Sequence, residues 1–155
     1  MNRIEKLREH IDKIIELITD TEQRRCAYIH LYGVAQACGL LAMKRGENPE
    51  LAMMAGMLHD LYSYSQLDSI EHAHKGAVFA RKILEELQIT NQYETDIICE
   101  AIYNHSDKEN IHTSFNELLK DADVLQHFLN NPTLKVANHE LPRVEKIEKE
   151  LRIQN

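Results

Sequence analysis

The stretch LAMMAGMLHDLYSYS, residues 51–65, changes character at a histidine–aspartate pair. Residues 51–58 are small and apolar, as expected of a helix buried in a core, whereas the residues that follow Asp60 are mostly polar. An imidazole and a carboxylate therefore stand side by side where an apolar helix gives way to a polar segment. Either the helix simply stops there, or His59 and Asp60 are donors of a metal site. The rest of the chain decides between these two explanations.

The composition of the 155-residue chain is typical of a helical protein, and its net charge does not suit a polyanionic partner. Leu, Ile, Glu, Lys and Ala dominate, and there are only 3 prolines and 5 glycines. The 3 cysteines show no C-x-x-C spacing and are typical of reduced thiols, so we expect a cytoplasmic protein. The net charge of −7 argues against a nucleic-acid polymer as partner, and we expect no membrane-spanning segment. The oligomeric state stays open.

Apolar residues recur at helical spacing along the chain, which predicts an all-α, single-domain bundle of about six to seven helices over residues 1–155. We expect a polar loop at residues 62–68, Thr21 and Ser69 as N-caps, and Ile29 and Leu40 on the buried stripe of the second helix. The predicted helices run from Ile4 to near Asp20, from Thr21 to about Arg45, from Pro49 to His59–Leu61, from Ser69 to about Gln88, over 91–105 and 114–130, with a last one near Pro142.

Four successive helices each carry a histidine on the apolar stripe, namely His30, His59, His72 and His105. One inward histidine is more often a core residue that is hydrogen-bonded to a carbonyl oxygen. Four of them with carboxylates nearby favour a metal centre inside a helical bundle. We also expect the small residues before His59, such as Gly56, to face Gly33 and to let two helices approach closely.

The carboxylates beside these histidines are Asp60 and the pair Asp121 and Asp123. Both members of the pair lie at the edges of the apolar stripe of the sixth helix, so periodicity does not choose between them. Periodicity favours His72 over His74, which aligns with a solvated face, without settling the matter. The remaining histidines, His127 among them, show no comparable setting.

At this point the residues match a family pattern. His30, the pair His59–Asp60 and "DAD" ending at Asp123 resemble, in this order, the H…HD…D signature of the HD-domain phosphohydrolase superfamily. The segments EHAHKGAVFARKIL (71–84) and AIYNHS (101–106) are similar to that superfamily's two auxiliary histidine segments. The resemblance covers roughly residues 22–130 and implies an HD-domain-like fold on which the N- and C-terminal helices pack.

The resemblance implies that His30, His59, Asp60 and Asp123 coordinate one divalent ion. Asp123 is preferred because the family ligand follows the alanine of an A-D pair. In the binuclear branch of the superfamily, His72 and His105 would hold a second ion, with Asp60 bridging the two. Such a mixed nitrogen and oxygen donor set suits Fe, Mn, Zn, Co or Mg, and the sequence does not distinguish these or decide between one and two ions.

The activity that the resemblance implies is that of a metal-dependent phosphohydrolase. Its substrate would be a small phosphate ester or anhydride, with a nucleotide expected, and it would be cleaved by metal-activated water with His59 and Asp60 at the catalytic centre. Lys75, Lys120 and Tyr62 are candidate substrate contacts because they lie near the donors in sequence. Two alternatives stay open: an HD-type binuclear iron oxygenase, and a non-catalytic ligand-binding module that the metal merely stabilises.

Overall fold

A computed structural model describes residues 2–152, and over this range the chain forms eight helices and no strand. The predicted all-α bundle is therefore confirmed. The helices are α1 (Arg3–Glu16), α2 (Thr21–Arg45), α3 (Pro49–Leu58), α4 (Leu61–Gln66), α5 (His72–Leu87), α6 (Gln92–Asn104), α7 (Ser114–Asn130) and α8 (Leu141–Leu151).

Helix α4 is the main departure from the sequence-based expectation, because a loop was predicted over residues 62–68. Its residues, LYSYSQ, include tyrosines and serines of modest helix propensity, and its apolar anchor is the buried Leu61. Two predicted caps are also wrong. Asp20, not Thr21, caps α2 by accepting a hydrogen bond from the Gln23 amide, and α5 begins after Glu71 rather than at Ser69.

Helix α2 is the central element of the bundle and packs most extensively against α3 and α7. The prediction that Ile29 and Leu40 are buried is wrong, since 43% and 47% of these residues are exposed. Apolar residues occur nearly all around α2, so their spacing discriminates poorly between its faces. By length and composition alone α2 could also cross a membrane, contrary to our expectation, although buried core helices pass the same test and 56% of its most apolar window is buried.

The close approach of α2 and α3 depends on Gly56. A Cβ atom added there would lie 2.7 Å from the Ala35 Cα, so the two backbones could not come this near with a larger residue. The expectation of a close approach is met, but Gly56 faces Ala35 rather than Gly33. Gly33 instead makes room for the side chain of Gln126 on α7, whose Cγ would lie 2.8 Å from an added Cβ.

A cluster of ion pairs fastens the C-terminal helix α8 to the bundle. Asp121 on α7 is fully buried and accepts hydrogen bonds from Arg45 on α2 and from Arg143 and Lys146 on α8, at 2.8, 2.7 and 3.0 Å. Burial alone would raise the pKa of Asp121, but these three cations outweigh it and lower that pKa. Helix α8 is thereby held against α7.

Replacing Gly56 by Ala should lower the free energy of unfolding by about 1–3 kcal/mol, the usual range for overpacking, because α2 and α3 must move apart. Gly39→Ala is the matched control, since an added Cβ at Gly39 meets only the flexible Met53 side chain at 3.1–3.2 Å. There the better helix propensity of Ala should leave stability unchanged or raised. Denaturant unfolding of both variants checks this, and equal effects would contradict the role assigned to Gly56.

Candidate metal centre

The six side chains that were expected to hold metal come together where five segments of the chain meet. His30 and Asp123 lie within the long helices α2 and α7. The other four lie at helix ends: His59 directly follows α3, Asp60 precedes α4, His72 is the first residue of α5, and His105 directly follows α6. At a helix end the backbone changes direction, so adjacent residues such as His59 and Asp60 can aim at one point.

Four donor atoms converge on the first candidate position. The Nε2 atoms of His30 and His59 lie 3.1 Å apart, and Asp60 Oδ2 lies 3.3 and 3.4 Å from them. Asp123 Oδ1 completes the group at 3.5 Å from the His30 Nε2 and 3.7 Å from the His59 Nε2. Ligands about 2.0–2.2 Å from a shared ion are themselves separated by about 3.0–3.6 Å, so this spacing fits one cation.

The other carboxylate oxygen of Asp60 faces a second pair of imidazoles. Asp60 Oδ1 lies 3.2 Å from the His105 Nε2 and 3.5 Å from the His72 Nε2. Asp60 is also the residue before α4, a position where aspartate usually caps a helix, yet its side chain makes no capping hydrogen bond. The two oxygens are thus divided between two neighbouring groups of donors, as a bridging carboxylate requires.

Hydrogen bonds on the far side of each ring fix the orientation of all four histidines. The Nδ1 atoms of His59, His105 and His72 lie 2.8, 2.7 and 3.2 Å from the carbonyl oxygens of Gly56, Ile102 and Ser69. His30 Nδ1 lies 2.8 Å from the side-chain oxygen of Gln126. Each Nδ1 therefore donates its proton outward, and each Nε2 presents a lone pair to the centre, which is the tautomer that binds metal.

The electrostatics of the centre favour ionised carboxylates. Burial opposes the charge of Asp60, but His59, His105 and His30 outweigh it and hold the pKa of Asp60 well below its usual range. Burial is likewise outweighed at Asp123, mainly by Lys108 and His59, so its pKa also lies well below the usual range. Burial lowers the pKa of His30, yet Asp60 and Asp123 raise it more, and the net shift is upward.

The donor atoms of the centre do not satisfy one another, and a divalent cation between them would. Asp60 Oδ1 and Asp123 Oδ1 are buried, and within residues 2–152 neither has a hydrogen-bond partner. Lone pairs on facing Nε2 atoms also repel unless a proton or a metal ion lies between them. A buried carboxylate without a partner is costly, and cations coordinated by imidazole and carboxylate remove that cost.

The geometry separates the two choices that periodicity left open. Asp123 reaches the centre, whereas Asp121 is engaged by the three basic side chains that hold α8. His72 faces Asp60, whereas His74 stacks on Tyr103 with ring centroids 3.9 Å apart. The donor set expected from the sequence is therefore the one that the fold brings together.

The three expected substrate contacts do not line the cavity that opens beside the centre. Lys75 pairs with Asp68 at 2.7 Å, and the Tyr62 hydroxyl also points to Asp68. Lys120 is fully buried, and its Nζ donates to the carbonyl oxygen of Asn110 and to Glu117. These residues lie close to the donors in sequence, but helix geometry directs their side chains to other faces of the bundle.

Two residues near the centre were missed by the sequence analysis. His127 Nε2 lies 3.5 Å from Asp123 Oδ1, and its ring stacks on that of His30 at 5.2 Å. The spacing of four residues between Asp123 and His127 could have indicated this, since such residues share a helix face. Lys108 Nζ lies 2.6 Å from Asp123 Oδ2 but comes from a loop, where no periodic signal exists.

A helical bundle that directs imidazoles and carboxylates from several helices into one centre defines a metal-binding helical protein. The HD domain profile matches residues 27–127, and the chain belongs to the HD domain family. This places it in a superfamily of metal-dependent phosphohydrolases. It is also 29% identical over 123 residues to a protein of Sulfurimonas denitrificans named Ribonuclease Y, covering 79% of this chain. The chain spans only 22% of that relative's length. No solved structure gives a significant match.

Asp123→Asn should lower the metal content of the purified protein while changing the stability of the metal-free form little. Asp121→Asn is the matched variant two residues away. It should retain metal but lower the free energy of unfolding by about 3 kcal/mol or more, because it breaks a buried ion-pair cluster. Elemental analysis and denaturant unfolding measure the two quantities. Loss of metal from the Asp121 variant alone would reverse the assignment.

Because the two oxygens of Asp60 face different pairs of histidines, we expect two ions per chain. His72→Ala and His105→Ala should each reduce the content from about two equivalents to about one, because each removes a donor of the second position only. His74→Ala is the control and should leave the content unchanged. The measurement is elemental analysis of protein purified anaerobically without chelators. One equivalent in the unsubstituted protein would contradict a binuclear centre.

Proposed function

We propose that the protein is a hydrolase that cleaves a small phosphate ester or anhydride, with a nucleotide as the first substrate class to test. The observation that carries the proposal is Asp60, whose two oxygens face two separate imidazole pairs at the edge of a cavity of about 430 Å³. That volume lies in the usual range for small-molecule sites. Family membership supports the same class of chemistry.

In such a reaction the donor residues would form two groups, each of which would hold one ion. A pair of divalent ions bound here would supply Lewis acidity toward a phosphoryl oxygen and would lower the pKa of bound water. His30, His59 and Asp123 would hold one ion. His72 and His105 would hold the other, and both line the cavity beside the centre.

Asp60 would contribute one oxygen to each ion, because its two oxygens face different imidazoles. The net effect of its surroundings is to hold the pKa of Asp60 well below the usual range, which favours the ionised form that binds cations. His59 is held by the Gly56 carbonyl oxygen, which keeps its lone pair on the shared point. The substrate phosphate would approach the donors from the cavity, which Asp60, His72 and His105 line.

The name of the relative from Sulfurimonas denitrificans points to RNA as a second kind of substrate. We place it second because the chain spans a small part of that relative and carries a net charge of −7, which disfavours a polyanion. The binuclear oxygenase is a third candidate, since the donor set also suits iron. A ligand-binding module without catalysis is the fourth.

The protein reconstituted anaerobically with Mn²⁺ should release inorganic phosphate from nucleoside phosphates, and chelator should abolish the release. Asp60→Asn should lower kcat/KM by about a hundredfold or more, because both ion positions lose a donor. His74→Ala is the control and should keep full activity.

Each alternative has its own signature in this assay. Turnover that needs dioxygen would favour the oxygenase, and cleavage of single-stranded RNA alone would favour the ribonuclease. A metal-loaded protein that is inert on every substrate, yet is thermally stabilised by one nucleotide, would leave only the binding module.

A further inference from the structure

Carboxylates outnumber basic side chains of the Lys and Arg type in the wall of the cavity beside the centre, which also contains histidines. Besides the donors Asp60 and Asp123, its wall contains three more carboxylates, Asp107, Glu109 and Glu140. Among the lining residues in the described part of the chain, Lys108 is the single Lys or Arg. A phosphate group in this cavity would be repelled by these carboxylates and attracted by the ions and by Lys108, with the imidazoles of His127 and His139 also on the wall.

Lys108 is placed to contact a group that is bound at the centre. Its Nζ donates to Asp123 Oδ2 at 2.6 Å, while the other oxygen of Asp123 faces His30 and His59. An ammonium group has three N–H donors, and within residues 2–152 the structure gives the other two no partner. Only 12% of the Lys108 side chain is exposed, so the charge is poorly screened by solvent.

The loop that carries Lys108 is held from two sides. Arg143 on α8 donates to the Lys108 carbonyl oxygen at 3.0 Å, and the buried Lys120 donates to the Asn110 carbonyl oxygen at 2.9 Å. Asn110 in turn donates its side-chain amide to Asp107. Lys120, expected from the sequence to contact substrate, acts here as a support for the loop. A side chain held in this way loses little conformational freedom when a ligand binds.

We propose that Lys108 binds the phosphate of the substrate, and that the carboxylates around it restrict the substrate to a single phosphoryl group on an uncharged or cationic body. This inference rests on the proposed function and narrows its substrate class. One ammonium group and the ions offset the charge of one phosphate. A second or third phosphate would lie near Asp107, Glu109 or Glu140, where like charges repel.

The same carboxylates are acceptors for hydroxyl and amino groups. Glu109 is exposed at the cavity wall, and Glu140 lies 3.0 Å from the His127 Nδ1. A sugar or a nucleoside offers such donors, so a nucleoside monophosphate or a sugar phosphate suits the cavity. A nucleoside triphosphate, a polyphosphate or an RNA strand does not, because each carries further negative charges away from the centre.

Calorimetric titration of the metal-loaded full chain with inorganic phosphate and with pyrophosphate tests this at a fixed free-metal concentration. Phosphate should bind more tightly than pyrophosphate. Lys108→Gln should weaken phosphate binding roughly tenfold to a hundredfold, as expected for a lost hydrogen bond to a charged group. Lys108→Arg should keep most of the affinity. Lys82→Gln, the same change at an exposed position on α5, is the control and should have no effect.

Glu109→Gln tests the acidic wall independently of Lys108. It should strengthen pyrophosphate binding severalfold and change phosphate binding little, because it removes one repulsive charge beside the second phosphate. Equal binding of phosphate and pyrophosphate by the unsubstituted protein would overturn the restriction to a single phosphoryl group.

Two outcomes would overturn the role of Lys108. One is unchanged phosphate affinity in a Lys108→Gln protein that still holds metal. The other is failure of that variant to bind metal at any concentration, since Lys108 would then act only on Asp123. A failure of the proposed function is a different result, namely no phosphate release from any ester by the metal-loaded protein, and the binding titrations do not depend on it.

Discussion

The structure depends on two carboxylates, Asp60 and Asp123, each of which keeps one buried oxygen without a hydrogen-bond donor in the described part of the chain. Asp60 Oδ1 and Asp123 Oδ1 are buried, and within the described range no donor satisfies them. The imidazoles around them do not help, because their Nδ1 protons are directed outward to backbone carbonyl oxygens or to Gln126. Lys108 offsets part of the charge of Asp123 by donating to its other oxygen, whereas the oxygens that face the histidines have no donor within residues 2–152. The centre is therefore a set of electron-pair donors that suits cations.

The packing of the bundle around this centre uses small residues where helices must come close. Gly56 lets α3 approach Ala35 on α2, which brings His59 to His30. Gly76 on α5 would place an added Cβ 3.0 Å from the His59 carbonyl oxygen, so α5 also packs tightly here and carries His72 toward Asp60. Each close contact thus positions a donor as well as filling the core.

The helices and most donors could be predicted from the sequence because both follow from helical periodicity. Periodicity could not choose between Asp121 and Asp123, since both are buried on the same helix and differ only in their partners, and the choice of Asp123 came from the family resemblance alone. Asp121 meets side chains from α2 and from α8, and such pairings between distant segments leave no local pattern. Lys108 was missed for the same reason, because its place is fixed by Arg143, thirty-five residues further along the chain.

The candidate metal donors and part of the cavity wall come from different segments of this chain. The region that matches the HD domain family ends at residue 127 and contains the six donors. Glu140 and Arg143 lie beyond it, yet Glu140 lines the cavity and Arg143 holds the loop of Lys108. Helix α8, fastened through Asp121, therefore completes a site whose metal-binding part is formed elsewhere. Family membership over residues 27–127 thus accounts for the candidate metal donors and for the loop after His105, whereas the cavity wall is completed by residues of the segment that leads into α8.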